Sequence, residues 1–177
     1  MKIKRRPEKK SKIGSQTFAD LYETNLPRVY RYIYYRVRDV TLAEDLTAAV
    51  FEKAFTKLDR YSADKASFFT WLAAIARNTI VDYFRKAGRE TAVLPNPSSE
   101  VNSAVDEIIK KEDRERLLLY VSELTETEQE IISLKFGSGL TNREIAKLHH
   151  LLESNVGTIV YRAIQKIRAK FGEDENE

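Results

Sequence analysis

Cysteine is absent from the 177 residues, which excludes a disulfide framework, a thiolate metal site and a cysteine nucleophile, and fits a reducing compartment. No stretch of about 18 apolar residues exists to cross a bilayer. The opening MKIKRRPEKKSK is basic with no apolar stretch behind it, so no secretory signal is expected and the chain reads as cytoplasmic, without membrane insertion. Histidine occurs only as the adjacent pair His149 and His150. A metal site wants ligands three or four apart on one helix face, and neighbouring histidines diverge. Glu44 and Asp45 diverge in the same way, with no nucleophile beside them. No metal, cofactor or catalytic residue is expected, and the chain is not read as an enzyme.

The residues that are present suit folded helical units. Hydrophobic residues make up 42% of the chain, too many for wholesale disorder. The 30 Lys+Arg and 27 Asp+Glu nearly cancel but are segregated: a basic tail over 1–14 holds Lys2, Lys4, Arg5, Arg6, Lys9, Lys10 and Lys12, and an acidic tail closes 173–177. The basic tail reads as a solvated arm with a loose attraction to phosphate. Two of the four prolines, Pro95 and Pro97, fall in GRETAVLPNPSSEVNSA, which is rich in Ser and Asn and lacks an apolar period. That stretch divides the chain into a first domain over 15–89, a flexible linker over 90–104 and a second domain over 105–172.

On both sides of the linker apolar residues recur at three and four, as in Leu46, Val50, Ala54, Leu58 and in Val156, Ile159, Ala163, Ile167, so the chain is expected to be all-α. Four capping boxes, Thr17/Asp20, Thr41/Glu44, Thr125/Glu128 and Thr141/Glu144, stand before such segments. Helices are therefore placed near 17–38 (bent at Pro27), 42–58, 67–87, 105–122, 126–136, 142–149 and 153–171, with Gly172 as a stop signal.

From Thr141 a short helix, a break of a few residues at the histidines and a longer helix follow in the spacing of a helix-turn-helix, whose second helix enters the major groove. Asn155, Thr158, Arg162 and Gln165 share one face of that helix, opposite Val156, Ile159 and Ala163. Arg, Asn and Gln carry donor and acceptor pairs that match base edges, while Lys166, Arg168 and Lys170 add charge suited to phosphates. In the first half, VYRYIYYRVRD and SFFTWLAAIARNTIVDYFRKAGR interleave aromatic rings with Arg, Lys and Asn, a combination that suits unstacked bases as well as an aromatic core. An autonomous, dimeric helix-turn-helix transcription regulator is the alternative reading, and it leaves the aromatic and basic first half unused.

AEDLTAAVFEKAF, FFTWLAAIARNTIVDYFRK and LTETEQEIISLKFGSGLTNREIAKL followed by ESNVGT resemble, in order, the second and fourth conserved regions of the bacterial extracytoplasmic-function (ECF) RNA polymerase sigma factors. The resemblance covers about residues 15–171. It implies a region 2 helical bundle that docks on the polymerase clamp and captures a flipped base of the minus-ten element. It also implies a region 4 domain that holds the minus-thirty-five element. The partners implied are core RNA polymerase, promoter DNA and an anti-sigma protein, with the free chain monomeric. Position by position, Asp45, Leu46 and Phe51 match the polymerase-binding helix, and Lys53, Trp71, Arg77 and Asn78 match the minus-ten surface. Asn155, Gly157, Thr158, Arg162 and Gln165 fall on the minus-thirty-five face. The chain departs from the family at Ala48, at His149 and His150, at Leu152 in place of a frequent Ser cap, and at Val160 and Tyr161.

Overall fold

Thr17 opens the first helix with a complete capping box: its hydroxyl accepts from the Asp20 amide while the Asp20 carboxylate accepts from the Thr17 amide. In the computed structural model, which describes residues 17–88 and 111–174, helix α1 (Phe18–Val37) follows from that cap. It runs through Pro27, which sits on its exposed side, and buries Leu21, Val29, Tyr32, Ile33 and Val37. Arg38 ends it in the left-handed region at φ 57°.

The expected box at Thr41 and Glu44 does not form. Asp39, extended at φ −123°, accepts from the Leu42 amide at 2.7 Å, so α2 (Val40–Thr56) begins earlier and Thr41 lies within its first turn. The left-handed turn at Arg38 leaves Asp39 as the first residue free to cap, and the nearer acceptor satisfies the open amides. A short 3-10 turn (Leu58–Arg60) and a loop lead to α3 (Phe68–Ala87), capped by Ser67. Helices α1, α2 and α3 close on one another around Val50, Ala54, Leu72, Ala76 and Ile80.

The linker expected over 90–104 and both terminal tails, apart from the α7 residues noted below, lie outside the described residues. The second body comprises α4 (Lys111–Ser122), α5 (Glu126–Ile132), α6 (Asn142–His149) and α7 (Glu153–Asp174). Complete capping boxes open α5 at Thr125 and α6 at Thr141. The helix expected over 126–136 changes character after Ile132: Ser133–Gly137 forms a π-turn, and the chain then turns at Gly139 with φ +71°. Gly172 does not stop the last helix, which continues to Asp174. A glycine costs a helix only about 1 kcal/mol relative to alanine, and Phe171, edge-on to Tyr120 at 4.8 Å, ties the final turn to α4.

The described residues are helical on both sides of the linker and contain no strand, as the apolar period predicts. The two bodies also touch: α1 packs along the π-turn and α3 against α6, so that one apolar core runs from Val50 and Leu72 through Tyr32 to Leu134 and Ile145.

Candidate nucleic-acid interface

The helix-turn-helix is built from the α6 cap outwards. The Thr141 and Glu144 box fixes the start of α6, and Ile145 and Ala146 are buried beneath it. At its other end the Leu151 amide donates to the Ala146 carbonyl at 2.9 Å, and His150 takes the left-handed conformation at φ 55°, ψ 39°. This is the helix-ending geometry that glycine usually supplies. The two histidines separate: His150 is exposed in the turn, while the His149 side chain is 8% exposed and faces Glu130.

Helix α7 then starts at Glu153, directly after Leu152, whose carbonyl accepts from the amides of Asn155 and Val156 but whose side chain is apolar and 69% exposed. Val156 and Ala163 are fully buried, which pins the inward face. Asn155, Thr158, Arg162 and Gln165 all stand exposed on the other side, with Tyr161 exposed beside Arg162. Gly157 lies against α6, where a Cβ would come 3.6 Å from Asn142 Nδ2, an ordinary contact. The basic residues farther along are not all open to phosphate. Lys166 donates to both carboxylate oxygens of Glu128 at 2.8 and 3.0 Å, and Lys170 pairs with Glu123 at 3.3 Å. Burial would raise the Glu128 carboxyl, but its bonds from Lys166 and from the Thr125 amide and hydroxyl outweigh burial and hold it below the ordinary range.

In the first body, Trp71 and Asn78 are two turns apart on α3 and share a stripe, Trp71 half-buried and Asn78 exposed. The indole packs with Tyr61 and Phe68 at ring distances of 5.4 and 5.5 Å. Lys53 reaches this helix from α2 by donating to the Thr79 hydroxyl at 3.0 Å. Arg77 diverges from the stripe and donates through Nε to Glu130 Oε1 of the second body at 2.7 Å.

On the far side of α2, Asp45 is exposed, but Leu46 and Phe51 are buried. What that face offers instead is an aromatic ladder across α1 and α2. Phe18 meets Phe55 edge-on at 5.1 Å and Tyr22 meets Phe51 at 4.5 Å, and Phe55 is 64% exposed. The sequence reading overlooked Phe18, Tyr22 and Phe55. Their signal was present, since each helix carries two aromatics four residues apart on one face, Phe18 with Tyr22 and Phe51 with Phe55.

Two helical bodies, one ending in a helix-turn-helix with an open polar face, define a DNA-binding protein. Comparison with known families narrows this class. Residues 21–90 match the family model Sigma-70 region 2, and residues 114–167 match Sigma-70, region 4. The ECF RNA polymerase sigma factor BldN of Streptomyces coelicolor is 30% identical over 164 residues, 90% of this chain, which spans 62% of that relative's length. The ECF RNA polymerase sigma factor SigM of Bacillus subtilis is 27% identical over 163 residues, covering 91% of this chain and 99% of SigM. Among solved structures, the sigma factor RpoE from Bartonella quintana, crystallised with the anti-sigma factor NepR, shares the fold with a TM-score of 0.73 at 21% identity, over 88% of this chain and 96% of RpoE. The chain belongs to the sigma-70 family, and the curated relatives it matches are ECF RNA polymerase sigma factors.

Proposed function

We propose that this chain binds core RNA polymerase in the cytoplasm, without catalytic chemistry of its own, and selects promoters through two surfaces. Region 2 captures the minus-ten element: Trp71 and Asn78 present a ring and an amide on one stripe, and Lys53 brings a cation beside them. Extruding a base costs a few kcal/mol that such a surface must offset. Region 4 reads the minus-thirty-five element through Asn155, Thr158, Arg162 and Gln165, whereas Gly157, expected on that face, is turned toward Asn142 of α6 and takes no part in the contact. Asp45 and the aromatic ladder of Phe18, Tyr22 and Phe55 face the polymerase, while Leu46 and Phe51 support that face from beneath. An anti-sigma protein holds the chain in check, as NepR is found bound to RpoE. Region 2 spans 15–89 and region 4 spans 105–172, with the last turn of α7 running on to Asp174.

The observation that carries this reading is the open polar face of α7 in a chain that also holds a region 2 bundle. An autonomous regulator has no use for that bundle. The test is transcription with bacterial core polymerase over a genome-scale promoter library. The chain is expected to give promoter-dependent transcripts that Asn78→Ala and Arg162→Ala weaken, each by roughly 1–3 kcal/mol of promoter affinity if it contacts a base. Absence of transcripts from the whole library overturns the proposal.

A further inference from the structure

Two arginines at the end of α1 carry charge into the protein with little to meet it. Arg36 and Arg38 are each 7% exposed. Residues two apart on a helix face opposite sides, but α1 stops at Val37 and Arg38 turns left-handed at φ 57°, and the charge that acts on the Arg38 guanidinium is that of Arg36. Burial, and behind it this like charge, holds Arg38 below its ordinary range. Arg36 has weak partners: Nη1 donates to Gln129 Oε1 at 3.3 Å, and Nη2 lies 4.0 Å from the carboxylate of Glu126, a side chain 83% exposed. The Arg38 guanidinium meets no acceptor among the described residues. Its Nε, like that of Arg36, is sealed from solvent without a hydrogen bond, whereas its terminal nitrogens are not sealed.

A buried charge is costly unless it is paired and hydrogen-bonded, and nearly all buried donors in native proteins have a partner. Two buried guanidiniums side by side, one with weak partners and one with none, are completed when an anion docks on them from solvent. The guanidinium fork matches phosphate oxygens with two parallel hydrogen bonds. A dianion also offsets two like charges, where a carboxylate offsets one. We propose that Arg36 and Arg38 form a phosphate-binding site at the end of the first helix. Neither residue is among those assigned above to promoter DNA or to polymerase. The phosphoryl group is the same chemistry whether it comes as free phosphate or as part of a nucleic-acid backbone. A ligand bound by the folded chain alone raises the ratio of folded to unfolded protein about a hundredfold at a hundred times its Kd.

The test is urea unfolding of the full chain as sodium phosphate replaces sodium chloride at constant ionic strength and pH. The parent should gain stability to a plateau, and Arg38→Met should not. Phosphate also strengthens apolar burial in general, but that rise has no plateau and is shared by every variant. Lys57→Ala, which removes an exposed cation of the same body, should keep the parental gain. Arg38→Lys retains the charge without the fork and should lose most of it. Nitrogen-15 resonance of the Arg36 and Arg38 Nε–H groups in the parent should move with phosphate to the same plateau, and it decides the matter if Arg38→Met does not fold. A labelled single-stranded oligonucleotide separates the two sources. If nucleic acid supplies the phosphate, Arg38→Met binds it about tenfold or more weakly and inorganic phosphate competes; if free phosphate is the ligand, parent and variant bind the oligonucleotide alike. Equal stability gains in the parent and Arg38→Met, or Nε–H signals that phosphate does not move, overturn the site. None of these measurements needs polymerase, so failed transcription would leave their result standing.

Discussion

Replacing His150 by glycine should stabilise the second body. His150 holds φ 55°, ψ 39° at the end of α6, where the left-handed backbone brings Cβ against the following carbonyl. For an L-residue that conformation costs about 1–2 kcal/mol. Glycine escapes the cost but loses more backbone entropy on folding, by roughly 0.5–1 kcal/mol. The imidazole is exposed, so little packing is lost with it. The net gain for His150→Gly therefore lies between about 0 and 1.5 kcal/mol, and its midpoint of about 0.75 kcal/mol moves the melting temperature up by roughly 3–6 °C for a domain of this size. His150→Ala is the decisive control, because alanine keeps the backbone cost while deleting the ring, and its stability should stay within about 0.5 kcal/mol of the parent. Urea and thermal unfolding followed by circular dichroism compare the three chains. If glycine and alanine give the same stability, the left-handed backbone is not the source of the cost and the reasoning fails.

Two further outcomes follow from the same domain. Leu152 stands at the start of α7 without a side-chain acceptor and is largely exposed, so Leu152→Ser should add about 1 kcal/mol by capping a free amide; equal or lower stability in urea unfolding would count against α7 starting at Glu153. His149 titrates below its ordinary 6.5, chiefly because burial disfavours the imidazolium, with Arg77 and His150 adding to this and Glu130 opposing it. The folded state then binds fewer protons than the unfolded chain below about pH 6.5, so stability should fall as the pH drops from 6.5 through the lowered value. The slope of melting temperature between pH 7 and 5 should flatten in His149→Leu, and an unchanged slope would show that the acid loss arises elsewhere.

The sequence exposed whatever depends on neighbours within about four residues. Thr141 and Glu144 announce the start of α6, and the spacing of Val156 and Ala163 fixes which face of α7 is buried and leaves Asn155, Thr158, Arg162 and Gln165 outside. The same local logic marked the turn at His150, because a residue just past a helix end is pushed toward the left-handed region whatever surrounds it. It failed at Thr41, where a competing acceptor two residues earlier took the cap, and at Gly172, where a tertiary contact at Phe171 outweighed a weak propensity.

Tertiary structure alone decided which charges are free. Arg77 and its partner Glu130 are 53 residues apart, and Thr70 and Glu144 are 74 apart, so no periodicity links them. Nor does composition distinguish Lys166, tied to Glu128, from Arg162, which stands exposed on the same helix. Helix formation and facing are set by short-range sterics and hydrogen bonds that the local sequence contains. The pairing of a buried carboxylate with an arginine depends on how two separately folded surfaces fit, because the cost of burying each charge is offset only where the other has been brought beside it.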